Sequence, residues 1–450
     1  MSDPRPVVTV PTVPTVPTAR TGAPWWIPFL VGAIALVLRL VRLGSPDVYV
    51  FDEIYYVGDA ASLLRSGVER GTPAHPPLGK WLIALGIQAF GMNPTGWRVS
   101  AALAGAVLCA LVAVIAWRLT RRADLALLGG VLASVDGILF TSSRVAMLDI
   151  FEALFVTLAV HACVVALQSP QSSRSQVIRR WHLLAAVWLG LGAAVKWSAL
   201  FTVPVLIVVV AVQLGRGPAA PERRRALAIL IRLTATGSLT IASYLLAYAP
   251  TFVAHPDRAS PVEFLRMQLR LLEFHLRLTP SNAYAHPAVD WLAQRYPAGL
   301  FGERCRPAMG RVDSAVCPSG RSHDVTVAIV SVANPVVWVL GIVALAVLVG
   351  SLIYRAPPGA WLVGGAILSR WAPWLVTRDG YSFYAAPLMP VLILAIVLAI
   401  CLLPARAIRG TAIAIGLVAV AAFAFFYPYW AAVPLSDHDL HLRQWMSTWP

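Results

Sequence analysis

Charge of either sign is scarce in this 450-residue sequence. Asp, Glu, Lys and Arg make up 13% of it, where a soluble globular domain carries roughly a quarter, so an ordinary water-soluble protein is excluded. Lysine is rarer still, occurring only at Lys80 and Lys196, and the formal net charge of +15 is therefore an arginine charge. The arginines concentrate in short connections between apolar blocks, which is a topological signature, and nucleic acid is not an expected partner. Five cysteines are too few for a disulfide scaffold. Cys109, Cys163 and Cys401 lie in apolar blocks, where a thiol packs as a small hydrophobe. Cys305 and Cys317 flank the polar stretch RPAMGRVDSAV; they pair if that stretch faces an oxidising compartment and stay two free thiols if it does not. No CxxC or HExxH spacing is present.

Apolar runs are abundant. Hydrophobic residues make up 58% of the chain and the mean hydropathy is +0.71, with repeated blocks of roughly 17–25 residues, each long enough to cross a bilayer as a helix. Residues 1–21, with the repeat VPTVPTVPT, read as a disordered cytoplasmic tail. Trp25 to Leu43 is expected to remain as the first span, because it is long, carries Arg39 and Arg42 at its far end and lacks a small-residue cleavage site. Further spans are expected at about 97–117, 124–141, 147–168, 182–195, 198–214, 227–249, 327–353, 361–376, 385–403 and 410–428, giving about eleven transmembrane helices in one all-α domain over 22–450.

Arg118, Arg121 and Arg122 share one connection, Arg174, Arg179 and Arg180 a second, and Arg216, Arg223, Arg224 and Arg225 a third. Positive-inside bias places these in the cytoplasm. The N-terminus is then cytoplasmic, while 44–96, 251–326 and the tail from about 429 lie outside the plasma membrane. Leu78 to Phe90 is short for a crossing and is read as an interfacial helix with Trp81 at headgroup depth.

The first outer loop holds Asp52 and Glu53 close to the end of the first span, and carboxylates near lipid are costly unless paired or used. It continues through AHPPLGKWLIALG at 74–86, with His75 and Lys80. FDEIYY, HPPLGKW and GWRVSAAL at 96–103 together resemble the protein O-mannosyltransferase family of GT-C membrane glycosyltransferases. The resemblance extends through SSRVAMLDIFEALF at 142–155, VKWSALF at 195–201, EFHLRLTPSNAYAHPAVDWL at 273–292, ANPVVWVLG at 333–341 and TRDGYSFYAAPLMP at 377–390. The second long loop is too short for the β-trefoil (MIR) domain of the eukaryotic members, so the chain is similar to the shorter bacterial form. It departs from the family where a His-Tyr pair is replaced by Phe383-Tyr384, and in the aromatic run around Tyr284.

The resemblance implies transfer of mannose from polyprenyl-phosphate mannose to Ser or Thr of exported proteins rich in Ser, Thr and Pro, in a bacterial cell membrane beside lipid and the Sec translocon. One inversion requires one general base, for which Asp52 is the choice, with Glu53 holding the acceptor backbone or a nearby arginine. The leaving phosphate needs cations, not a general acid, and His75, Lys80, Arg98, Arg144 and Arg378 are the candidates. Arg39 is expected to orient the loop and Asp149 to pair with Arg144. Lys196 and Trp197 read either as groove lining or as an interface anchor. Arg266, Arg270 and Arg277, interleaved with Leu265, Leu269, Leu272 and Leu276, predict a basic amphipathic surface helix. No cofactor or metal is expected. The other enzyme reading keeps the fold and delivers the sugar to a glycolipid or cell-wall glycan. A transporter is disfavoured because internal repeats and midplane polar residues are missing.

Overall fold

A computed structural model of the chain describes residues 24–70, 74–169, 175–215, 222–278, 283–306, 316–317, 324–354, 356–357, 359–377 and 379–450. The tail read over 1–21 and the candidate Arg378 lie outside the described residues. The first half contains α1 (Trp26–Leu40), α2 (Glu53–Ser66), α3 (Leu78–Phe90), α4 (Pro94–Thr120), α5 (Ala123–Val135), α6 (Gly137–Ser142), α7 (Asp149–Gln168) and α8 (Ser175–Val195). A tighter turn at Trp197–Thr202 leads into α9 (Val203–Gly215), followed by α10 (Glu222–Leu246), α11 (Ala249–Ala254), α12 (Pro261–Arg277) and α13 (Ala288–Leu292). An antiparallel hairpin of β1 (Ala298–Cys305) and β2 (Val325–Ser331) precedes α14 (Pro335–Tyr354), α15 (Ala360–Val376), α16 (Met389–Ile400), α17 (Ala405–Trp430) and α18 (Asp437–His441).

Helices dominate because a backbone in hydrocarbon must satisfy its own hydrogen bonds. Each of the eleven apolar stretches read from sequence contains a helix. Among the described residues, Pro94–Thr120, Asp149–Gln168, Trp197–Leu214, Glu222–Leu246 and Ala405–Trp430 are long and apolar enough to cross a bilayer unaided. The protein is a multi-pass membrane protein.

Two expected spans are interrupted. The stretch 124–141 breaks at Asp136, whose buried side chain accepts from Leu139 N at 2.9 Å and caps α6. The break also lets Gly137 approach the chain closely: a Cβ there would lie 2.1 Å from the Val332 carbonyl oxygen. The stretch 327–353 begins as strand, because VTVAIVS is rich in β-branched residues and pairs with β1. The helix starts at Pro335, where a missing N–H costs nothing.

α3 has the expected bounds but not the expected orientation of its polar groups. Lys80 is sealed inside and the Trp81 indole nitrogen is buried, whereas Leu85 and Phe90 face outward. The disulfide between Cys305 and Cys317 is formed. β1 and β2 pack over Val50, Val145, Met147 and Phe383, so the hairpin covers the loop that carries Asp52. Thr326 and Leu435 exchange backbone hydrogen bonds of 2.8 and 2.9 Å, which brings the 429–450 segment to the same end of the molecule.

Candidate active site

The C-terminal ends of α1 and α8 meet the N-terminal ends of α2, α3, α4 and α7, and the family-like motifs lie at this junction. Phe51 adopts a left-handed conformation, φ 50°, held by edge-to-face contacts with Tyr381 and Phe383. Such a conformation is strained for a bulky residue and persists where packing over-determines it. It turns the chain into α2, with Asp52 at the N-cap and Glu53 as the first helical residue.

Glu53 is fully buried. Its Oε1 accepts from Arg98 Nε and from Ala146 N, both at 2.8 Å; its Oε2 accepts from Arg98 Nη2 at 2.8 Å and Val50 N at 2.9 Å. Arg98 also donates to the carbonyls of Leu43, Pro46 and Val48 at 2.9–3.1 Å. All five guanidinium N–H groups are thereby used. Arg98 is the clamp of the first loop, which corrects its reading as a donor-phosphate ligand, and Glu53 holds that arginine, not an acceptor.

Arg144 is likewise committed. It donates to the Arg39 and Val41 carbonyls at 2.7 and 2.5 Å and to that of Arg42 at 3.0 Å, closing the carbonyl end of α1. It does not pair with Asp149; that carboxylate accepts from Lys196 Nζ at 2.9 Å. Arg39 does not touch the loop: its Nε donates to Ser143 Oγ at 2.9 Å and its Nη1 to the Ala35 carbonyl at 3.1 Å. Lys80 neither snorkels nor faces the groove, because its ammonium lies 2.9 Å from both Asp59 and Glu69 and donates to the His75 carbonyl at 3.1 Å. Burial raises the Glu69 carboxyl above its ordinary range, and Lys80 opposes that shift.

Asp52 is outside this ionic framework. It is half-buried, and its Oδ2 accepts one hydrogen bond, from Tyr56 Oη at 3.1 Å. Burial raises its carboxyl to about 6, with Lys196 and Tyr56 acting in the opposite direction. Lys196 is buried, not an interface anchor, and its ammonium sits 4.5 Å from the centre of the Tyr384 ring. Behind it, Glu152 accepts from Arg370 at 2.6 Å and from Ser198 at 2.7 Å, locking α7 to α15.

Tyr381, Phe383 and Tyr384 form an aromatic wall beside Asp52. Phe383 is buried against Phe51, which makes it a support for the loop, while Tyr384 lies under Lys196. On the other side, ring centroids link Tyr56 to His75 at 6.2 Å, His75 to His275 at 5.2 Å, and His275 to Trp197 at 6.3 Å. Trp197 donates to Tyr244 Oη at 3.1 Å. Beyond His75 a pocket of about 200 Å³ runs between Glu69, Tyr248 and the α12 residues Gln268 and Arg270. α12 is the expected amphipathic helix, but Arg266 and Arg277 are paired with Glu263 and Glu273 of the same helix.

The site therefore joins Asp52, Tyr56, His75, Asp149, Lys196, His275 and Tyr384. Sequence reasoning did not assign Tyr56, His275 or Tyr244. Tyr56 had a readable signal, its i,i+4 spacing from Asp52 at a helix start; the other two come from distant helices and had none. Among the described residues, no three His, Cys, Asp or Glu side chains gather as a metal-binding set. A carboxylate with a raised pKa, one hydrogen-bonded tyrosine and an adjacent buried ammonium suit proton abstraction from a hydroxyl beside a developing anion.

The family model for dolichyl-phosphate-mannose-protein mannosyltransferases matches residues 29–252. The polyprenol-phosphate-mannose–protein mannosyltransferase of Mycolicibacterium smegmatis is 29% identical over 99% of this chain and 96% of its own. The Mycobacterium tuberculosis protein of the same name is 29% identical over 94% and 92%. Among solved structures, the Saccharomyces cerevisiae protein O-mannosyltransferase complex bound to the sugar donor aligns with a TM-score of 0.78 at 13% identity, covering 94% of this chain and 92% of that one. That likeness establishes a GT-C glycosyltransferase fold.

Proposed function

The chain belongs to the protein O-mannosyltransferase family, and from that premise we propose that it moves mannose from a polyprenyl-phosphate mannose to Ser or Thr hydroxyls of exported proteins. The observation that carries the residue assignment is the contrast at α2: Glu53 is sealed into an ion pair, while Asp52 keeps one oxygen free of protein hydrogen bonds beside Lys196. Asp52 takes the acceptor proton as the hydroxyl attacks the anomeric carbon, and the configuration inverts. Tyr56 orients the carboxylate by holding Oδ2. Lys196 spends one N–H on Asp149 and offers the rest to the departing phosphate, with His75, whose ring centroid lies 6.2 Å from that of Tyr56, as a second group able to donate to it. The phosphate is a stable anion on departure, so the reaction needs neither a general acid nor a divalent metal. The site faces the outside of the cell membrane, where acceptors emerging from the Sec translocon can enter.

The test uses membranes carrying the wild type or Asp52→Asn, given radiolabelled polyprenyl-phosphate mannose and a Ser/Thr/Pro-rich peptide. Label should enter the peptide with the wild type, fall by at least about a hundredfold with Asp52→Asn, and be unchanged by EDTA. Label reaching only a lipid or glycan fraction overturns the protein acceptor. Loss of transfer with EDTA and recovery with Mn²⁺ or Mg²⁺ overturns the metal-free mechanism.

A further inference from the structure

At the opposite end of α8 from the site, a second polar cluster plays no part in the proposed transfer. Arg179 lies 17 residues before Lys196, about 25 Å along a helix rising 1.5 Å per residue. There α8 and α10 enclose a pocket of about 270 Å³ whose polar lining includes Arg179, His182 and Arg232, with Leu183, Ala228 and Ile231 among its apolar walls. His182 is 1% exposed, and neither of its ring nitrogens has a hydrogen-bond partner. Among the described residues no carboxylate lines the pocket, and neither guanidinium forms an ion pair.

A buried polar side chain is ordinarily hydrogen-bonded, because leaving it unsatisfied is costly, and His182 is such a side chain, flanked by the exposed Arg179 and the half-buried Arg232. What is missing here is an acceptor with negative charge. A tetrahedral phosphate suits two guanidinium forks and an imidazole N–H, each reaching a different oxygen. The pocket opens onto the outward face of α10, where Leu227, Leu230 and Ile231 are 56%, 62% and 59% exposed. An apolar face continuous with a phosphate-sized cationic pocket matches a phosphate that carries acyl chains.

We propose that Arg179, His182 and Arg232 bind the headgroup phosphate of an anionic phospholipid whose chains lie along α10. The lipid pins α8 to α10 at their far ends, and both helices reach the active site: α8 runs into Lys196, and Tyr244 of α10 accepts from Trp197. This inference does not depend on the sugar or the acceptor.

The full chain, purified in detergent, is examined by native mass spectrometry and thermal unfolding with phosphatidylglycerol, phosphatidylcholine or inorganic phosphate. Phosphatidylglycerol should be retained and should raise the unfolding midpoint; phosphatidylcholine and inorganic phosphate should do neither. Arg179→Gln with Arg232→Gln should weaken retention by at least about tenfold, while Arg223→Gln, outside the pocket, leaves it unchanged. Ala228→Trp fills the pocket with its charges intact and should also abolish retention, which decides the matter if the double variant misfolds. Equal retention by the filled variant, or by phosphatidylcholine, overturns the proposal. Stabilisation by inorganic phosphate equal to that by phosphatidylglycerol overturns the lipid in favour of a free anion.

Discussion

Asp52 and Glu53 are consecutive residues with opposite assignments, and they respond differently to the same change. Asp52 has a folded-state pKa of about 6 against an ordinary value of 3.8, so the fold disfavours its charged form. Its ionisation costs stability that is absent below the ordinary value and fully expressed above about 6. Asp52→Asn should therefore raise stability at pH 7.5 but not at pH 4, by about 1–2 kcal/mol after allowance for its partial exposure, read as a higher thermal midpoint at pH 7.5 only. A lower midpoint at pH 7.5 would contradict this. In the wild type, peptide mannosylation should fall about tenfold per unit as pH drops below about 6, because the base is then protonated; a flat profile down to pH 5 would remove Asp52 from that role. Glu53→Gln breaks a buried pair and should cost about 3–5 kcal/mol, seen as a lower midpoint in detergent with little change in turnover per folded molecule. The acidic pair was legible in sequence because carboxylates beside lipid need a reason to be there. The choice of Asp52 as the base was also read from the sequence; the arginine that Glu53 holds was not, because Arg98 lies 45 residues further along the chain.

At the scale of elements, the bounds of α3, the existence and amphipathic character of α12 and the presence of helix in every apolar stretch were legible from periodicity and run length. The partners of their polar residues were not. Asp149 stands only five residues after Arg144, but the intervening turn sends Arg144 back to the end of α1 and Asp149 to the end of α8. The error came from reading proximity along the chain as proximity in space. The apolar run that became β2 was taken as helix because buried strand and buried helix share the same composition. Lys80 joins α3 to α2 through Asp59 and to the segment that follows α2 through Glu69. Lys80→Met should lower the thermal midpoint by burying two unmatched carboxylates, and Asp59→Asn with Glu69→Gln in the same chain should recover most of the loss. Failure of that rescue, measured by thermal unfolding, would show that the lysine acts elsewhere.

For the whole molecule, Arg118, Arg121 and Arg122 at the C-terminal end of α4 and Arg179 and Arg180 near the start of α8 lie at the far ends of those helices from Arg98 and Lys196, and charge bias assigns that far side to the cytoplasm. With Cys401→Ser as background, a cysteine at Asp437 should react with an impermeant maleimide in intact cells, and one at Arg224 only after permeabilisation; the reverse pattern would invert the assigned orientation. The loop bearing Asp52 is made early but cannot be set until its fixers are made. Arg98 lies 45 residues after Glu53 and Ala146 lies 93 after it, Lys196 arrives later at the end of α8, and the Phe383–Tyr384 wall is later still. During synthesis the reactive carboxylate is therefore present for most of the chain's assembly without its oriented setting. Competence comes only when the late helices have been inserted, and an abortive fragment released before Tyr384 carries the motif but not the catalyst.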